Sequence, residues 1–171
     1  YISIHATPLS DALAISAAGL LLRNLQAFVM DNDAGAANAC AQASLMAGMA
    51  LANARLGIVH GVAHPLGAKY GIPHGKLCGM LLAPALRFNK DAAGGKYTDL
   101  CSLAGGDIAE ACDALRRRIG LDDSLAGLGV KESELPQIIA ESMPSGSLKA
   151  NPRQVASKDL EKFLRECLGL V

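Results

Sequence analysis

The sequence predicts an all-α protein, a multi-helix bundle, on three observations. Ala and Leu, both strong helix formers, fill about a third of the positions. The aromatic residues of strands are scarce, at 4% with no Trp. Apolar residues recur at helical spacing, and no run alternates at the period of a strand. With 171 residues, 51% of them hydrophobic, the chain is long enough to bury a core without staples. Residues 1–171 read as one helical domain with no internal repeat.

Each element follows from local signals. Thr7-Pro8 is an N-cap and first-turn proline, and Leu9, Leu13, Leu20, Leu21, Leu25 and Phe28 carry a helix to about Met30. Asp31-Asn32-Asp33 ends it and caps a second helix over 34–56, whose Ala, Gly and Ser let neighbouring backbones come close, as in a central helix. Gly57 and Gly61 bracket the next apolar stretch. His64-Pro65 is expected to break it, because proline lacks an N–H and biases its predecessor out of the helical region. A loop through Gly67 and Gly71 follows, then a helix over 74–88 with Leu77, Leu81 and Leu82 inward. Shorter amphipathic helices are expected at 96–104, 107–119, 132–142 and 157–168, separated by turns at 120–130 and 143–153.

Composition excludes several function classes. Sixteen basic residues balance sixteen acidic ones, with no basic stripe among aromatics, so neither a nucleic-acid groove nor a polybasic membrane contact is expected. The longest uncharged run, 34–54, is broken by Asn38, Gln42, Ser44 and Asn53 and reads as a packed helix rather than a membrane span. Five scattered cysteines without a C-x-x-C pair point to reduced thiols and a cytoplasmic setting. No cleavable signal opens the chain, which starts on Tyr1 and reads as a piece or processed product of a longer one.

Chemistry concentrates in the histidines. His60, His64 and His74 fall within fifteen residues, in apolar, glycine-rich surroundings. His60 and His64 are four apart, which on a helix puts both imidazoles on one face within reach of one metal ion. His74 follows Pro73 at a helix start, where the positive end of the dipole favours the neutral, metal-binding imidazole. No Asp or Glu lies between His60 and Asp91, and there is neither H-E-x-x-H nor a Glu-x-x-His pair, which excludes zincin and ferritin-like di-iron chemistry. Cys78, one helical turn after His74, reads as a small packing residue, Lys69 and Tyr70 as a solvated loop, and His5 as a surface or turn residue. Arg116, Arg117 and Arg118 oppose a helix dipole and need no ligand.

The string from Gly57 through His60, His64-Pro65-Leu66-Gly67 and Ile72-Pro73-His74-Gly75 to Pro84 and Arg87-Phe88-Asn89 resembles the C-terminal helical domain of the iron-dependent (group III) alcohol dehydrogenases, a dehydroquinate synthase-like helical domain. Tyr1-Ile2-Ser3 with Thr7-Pro8 resembles that family's first long helix, and Asn151-Pro152-Arg153 its late turn, so the likeness covers essentially the whole chain. The resemblance implies Fe2+, in some members Zn2+, held by an aspartate and three histidines, of which His60 and His74 match the latter two. His64 matches a position beside the nicotinamide and substrate, credited with proton relay or cofactor positioning, and this overrules the His60/His64 spacing pair.

The implied reaction is hydride transfer between NAD or NADP and a small alcohol or aldehyde, with the metal as Lewis acid. The family's remaining two ligands lie in an Asp-x-x-x-His turn upstream of the position matching Tyr1, and its dinucleotide-binding loop lies in an N-terminal α/β domain. Neither is in this sequence. The chain alone is therefore not expected to be a competent dehydrogenase, and its expected partners are that missing N-terminal domain and, through the surface that domain would cover, further copies of itself. The alternative reading is a non-enzymatic helical assembly or binding module that keeps the fold.

Overall fold

The computed structural model describes residues 1–170, and among them every regular element is helical. The helices are α1 (Pro8–Asp31), α2 (Ala34–Ala54), α3 (Ile58–Tyr70), α4 (His74–Ala93), α5 (Gly95–Ala104), α6 (Ile108–Arg118), α7 (Leu135–Ser142), α8 (Gly146–Lys149) and α9 (Ser157–Cys167). A 3-10 turn, Glu132–Glu134, leads into α7.

The first two helices form a hairpin whose ends obey local rules. The Thr7 hydroxyl accepts from the Ser10 N–H at 3.3 Å, and the Ser10 hydroxyl accepts from the Thr7 N–H at 2.8 Å, a reciprocal capping box. Asn32 stops α1 in the left-handed region at φ 51°, and the Asp33 carboxylate accepts from the Ala36 N–H at 2.6 Å to start α2. The hairpin packs along its own length, with α1 touching α5 and α6 lightly. Thus α2 is not the central helix its composition suggested. Its small residues do bring its backbone close to α1, but Leu45, Met49 and Leu51 remain exposed because no third element covers them. By length and composition α1 is apolar enough to cross a membrane, and in this fold it lies against α2.

The centre belongs to α3 and α4. Val62 and Leu66 of α3, Leu77 and Leu81 of α4, Ile138 of α7 and Leu160, Phe163 and Leu164 of α9 form the main core, each no more than 1% exposed. Along its C-terminal half α4 turns Ala83 and Leu86 to a second core with Tyr97, Leu100, Ile108 and Ala109. One helix serves both clusters, which is why so much of it is buried. Leu82 is the exception to the expected inward set, at 41% exposed. It sits one residue past Leu81, and the step of about 100° per residue carries it off the buried face.

The expected break at His64-Pro65 does not occur: α3 runs through Pro65 and ends at Gly71, which takes the left-handed conformation at φ 66°. Proline inside a helix costs about 3 kcal/mol. Val62, Ala63 and Leu66, at 0–1% exposed on either side of it, offset that cost at roughly 1.5–3 kcal/mol for each large apolar side chain buried. The same holds for Pro84 inside α4, itself buried, and α4 extends past the expected end at 88 to Ala93. The expected turn at 143–153 also contains one short helix, α8, which packs on α3. A Cβ on Gly61 would lie 2.6 Å from Leu148 Cδ2, so only glycine permits α3 and α8 to sit this close.

Candidate metal centre

The turn Gly71-Ile72-Pro73 folds the start of α4 back onto α3. His60 stands in the first turn of α3, His64 one turn later, and His74 is the first residue of α4. The His60 and His74 ring centroids are 5.2 Å apart with planes tilted by 56°, and His64 meets His74 edge-on at 6.3 Å. His60 is half-buried, while His64 and His74 are exposed. Burial, with smaller contributions from charge on His74 and His64, holds the His60 imidazole below its ordinary pKa and so favours its neutral form, which has a free lone pair.

The donor atoms that converge are not those of the spacing pair. His60 and His64 stand one turn apart on α3 as expected, but among the described residues the three-donor set is His60, His74 and Cys78, with ligand atoms all within 4.8 Å of one another. Cys78 Sγ lies 3.7 Å from His60 Nε2 and 3.4 Å from His74 Nε2. Cys78 packs against the main core as expected, and its half-buried sulfur also faces both imidazoles, with burial pushing the thiol pKa up. The i,i+4 relation to His74 was the available signal. The approach to His60 was not, since it depends on how α3 and α4 pack.

Two cavities meet at this cluster. A cleft of about 620 Å³ is lined by His60, Gly61, His64, Pro65, His74 and Glu141, among others. Glu141 of α7 places a carboxylate in the lining of this cleft, where residues 61–90 have none, and it stands outside the three-donor set. On the other side, a space of about 390 Å³ is bounded by Tyr1, His60, Cys78, Leu82, Asn89 and Asn151, among others, and its lining is mostly apolar. His60 belongs to both walls.

The start of α3 is held by a residue the sequence reading gave no chemistry. Gly57 has no side chain to cap the helix, and the buried Asn151 substitutes for one: its Oδ1 accepts from the Ile58 N–H at 3.1 Å and from Asn89 Nδ2 at 3.2 Å. Its Nδ2 donates to Asn89 Oδ1 at 2.6 Å and to the Arg153 carbonyl at 2.7 Å. A Cβ on Gly57 would lie 2.9 Å from that Oδ1, so the glycine makes room for the cap.

Lys69 and Tyr70, expected in a solvated loop, instead close α3 onto the next layer. The Lys69 ammonium lies 3.0 Å from Glu134 and donates to Gln137, and the Tyr70 hydroxyl donates to Glu134 at 2.7 Å. Burial and the Glu134 carboxylate push the Tyr70 pKa up to about 12. His5 is an exposed turn residue, and Arg116, Arg117 and Arg118 occupy the last turn of α6 as expected.

The family model for the C-terminal part of Fe-containing alcohol dehydrogenases matches residues 1–168. The chain belongs to the iron-containing alcohol dehydrogenase family. It is 37% identical to the 1,3-propanediol dehydrogenase of Citrobacter freundii, over 97% of this chain and 46% of that protein. The crystal structure of a 1,3-propanediol oxidoreductase superposes with a TM-score of 0.92 at 36% identity, over 98% of this chain and 47% of the other. A sulfoacetaldehyde reductase from Bifidobacterium kashiwanohense, solved in complex with NAD+, superposes at 0.89 and 27% identity, over 100% of this chain and 46% of that one. The chain thus spans about half the length of the relatives it matches, corresponding to their C-terminal half. The expected all-α fold and the family resemblance both hold.

Proposed function

We propose that this chain supplies the metal-binding half of a dehydrogenase that moves a hydride between a small alcohol or aldehyde and NAD or NADP, with the dinucleotide carried by an N-terminal α/β domain. One observation carries the reading: in a chain of this family, His60 and His74 approach to 5.2 Å from two different helices at the wall of a cleft. The donor chemistry fits a divalent ion, since imidazole nitrogens with a sulfur beside them suit Fe2+ or Zn2+. Such an ion, when bound, supplies Lewis-acid polarisation of the substrate oxygen.

The chain's own residues do the rest. His60, kept neutral by burial and neighbouring imidazoles, and His74, at the N-terminus of α4, offer their nitrogens as ligands. His64, exposed in the cleft wall, sits beside the nicotinamide in this reading and passes the substrate proton to solvent. Five free thiols suit a reducing, cytoplasmic setting.

The test is substitution in a chain extended upstream by the dinucleotide-binding domain. His60→Ala and His74→Ala should each lose bound metal and turnover, while His64→Ala should retain metal and lower the hydride-transfer rate. Wild-type turnover in both His60→Ala and His74→Ala removes the proposed site and favours a non-enzymatic helical module. Metal loss in His64→Ala returns the ligand role to the His60/His64 pair.

A further inference from the structure

We infer that the far end of the α1–α2 hairpin is a self-association surface, on which a second copy of this chain docks antiparallel about a two-fold axis near Ala27. The inference goes beyond the metal assignment and is independent of it.

The hairpin tip lies outside the fold's own packing. Ile15, Ala18 and Leu22 of α1 rest on the second core, and no later residue of α1 joins either cluster. The stretch from Arg23 to Asp31 therefore projects by about 13 Å, at about 1.5 Å per residue. Three consecutive large apolar side chains stand in solvent there: Phe28 at 40% exposed, Val29 at 43% and Met30 at 55%. The neighbouring helix gives no charged cover, since α2 carries no Asp, Glu, Lys or Arg from Ala34 to Ala54. A solvated helix face ordinarily carries charge, and a contiguous apolar surface without it marks a contact site.

The charges on α1 say what covers it. Arg23, Ala27, Met30 and Asp31 share one helix face at positions i, i+4, i+7 and i+8. Arg23 and Asp31 are both exposed, and among the described residues neither has an ion-pair partner. They stand four residues to either side of Ala27. A two-fold axis at Ala27 sets Arg23 of each copy against Asp31 of the other, and the pair forms twice. The same arrangement lays each Met30 along the aliphatic stem of the other copy's Arg23, and the small Ala27 lets the two helices approach at the axis.

Other occupants fit less well. No residue of α1 lines either cavity at His60, and the length of α2, about 30 Å, separates the tip from that site, so a dinucleotide-binding domain seated over the histidines does not reach it. A lipid surface favours basic residues, yet Asp31 and Asp33 put carboxylates at the tip and no Lys or Arg lies between Arg23 and Arg55.

Sedimentation equilibrium of the 171-residue chain across micromolar concentrations tests this. Wild type should give twice the 17.6 kDa of one chain. Met30→Glu and Ala27→Glu, each placing a charge on the shared face, should be monomeric with the helical circular dichroism of wild type. Arg23→Asp and Asp31→Arg should each weaken the dimer by about 2- to 30-fold, the range for losing two exposed ion pairs. The double variant Arg23→Asp/Asp31→Arg should restore it, which a merely apolar contact would not do. A monomeric wild type overturns the inference, and so does a dimer that survives both Met30→Glu and Ala27→Glu, because it is held elsewhere. A double charge variant no tighter than the single ones overturns the antiparallel docking. A chain that is monomeric in solution but cosediments with phosphatidylcholine vesicles assigns the tip to a membrane instead. These readouts do not involve bound metal, so their failure leaves the roles of His60 and His74 as they stand.

Discussion

Asn151→Ala should destabilise the protein by about 3 kcal/mol, the sum of two stranded buried groups at roughly 1–3 kcal/mol each with some relief from hydration. Asn151 is 4% exposed and its amide makes four hydrogen bonds, to the Ile58 N–H, both ends of the Asn89 amide and the Arg153 carbonyl. Truncation leaves the Ile58 N–H with no partner at the helix start, and leaves Asn89 Oδ1 without its donor in a residue that is itself 2% exposed. Asn89 Nδ2 keeps its bond to the Ala85 carbonyl at 2.9 Å, and the Arg153 carbonyl lies nearer solvent, so neither counts fully. At about 2–4 °C per kcal/mol for a chain of this size, Tm should drop by roughly 6–12 °C. The assay is thermal unfolding followed by helical circular dichroism, with urea unfolding as an independent measure. Asn151→Asp keeps the acceptor for Ile58 but loses the donor to Asn89, and should fall between wild type and the alanine variant. A loss below ~0.5 kcal/mol, the range of ordinary surface substitutions, would refute the cap argument. Because His60 lies two residues after Ile58, the alanine variant should also bind Zn2+ more weakly than wild type.

Two further outcomes follow from the packing and the caps. Gly61→Ala should cost about 1–3 kcal/mol by overpacking, because its Cβ meets Leu148 Cδ2 at 2.6 Å and Cγ at 2.8 Å. An unchanged urea midpoint would show that α8 yields freely. Asp107 caps α6, and its carboxyl is pushed up by burial but pulled further down by the Glu110 N–H, the Tyr97 hydroxyl, the Ala109 N–H and the Lys90 ammonium, so its folded pKa is lowered. A lowered folded pKa gives stability that is present above the unfolded value of about 3.9 and is lost as pH falls through the folded one. Asp107→Ala should therefore cost about 1 kcal/mol near neutrality, and that difference should shrink on acidification below about pH 4. A difference constant across that range would sink the ionised-cap argument.

Much of the helix layout was legible because its signals are local. Thr7 and Asp33 cap their helices with their own side chains, and Asn32 sits in the turn that ends α1. These contacts span a few residues and need no knowledge of the rest of the fold. Pro65 misled for the complementary reason. Its penalty is local and visible in sequence, but what overcomes it is burial of Val62, Ala63 and Leu66 against elements far along the chain. The Ala-rich α2 misled in a related way: small side chains show that some backbone comes close, not how many helices surround it.

The candidate site divides along the same line. By itself the sequence determined an all-α chain, its family, and three histidines close enough together to be read as one centre, because helix periodicity and short spacing are properties of the covalent chain. Only the tertiary structure decided which donors meet. The packing of α4 on α3 draws His74 and Cys78 to His60 and leaves His64 outside the set, while Asn151, 93 residues from Ile58, closes the helix end on which His60 stands. Convergence of that kind depends on crossing angle and depth of packing between helices, and those are set by the whole core at once.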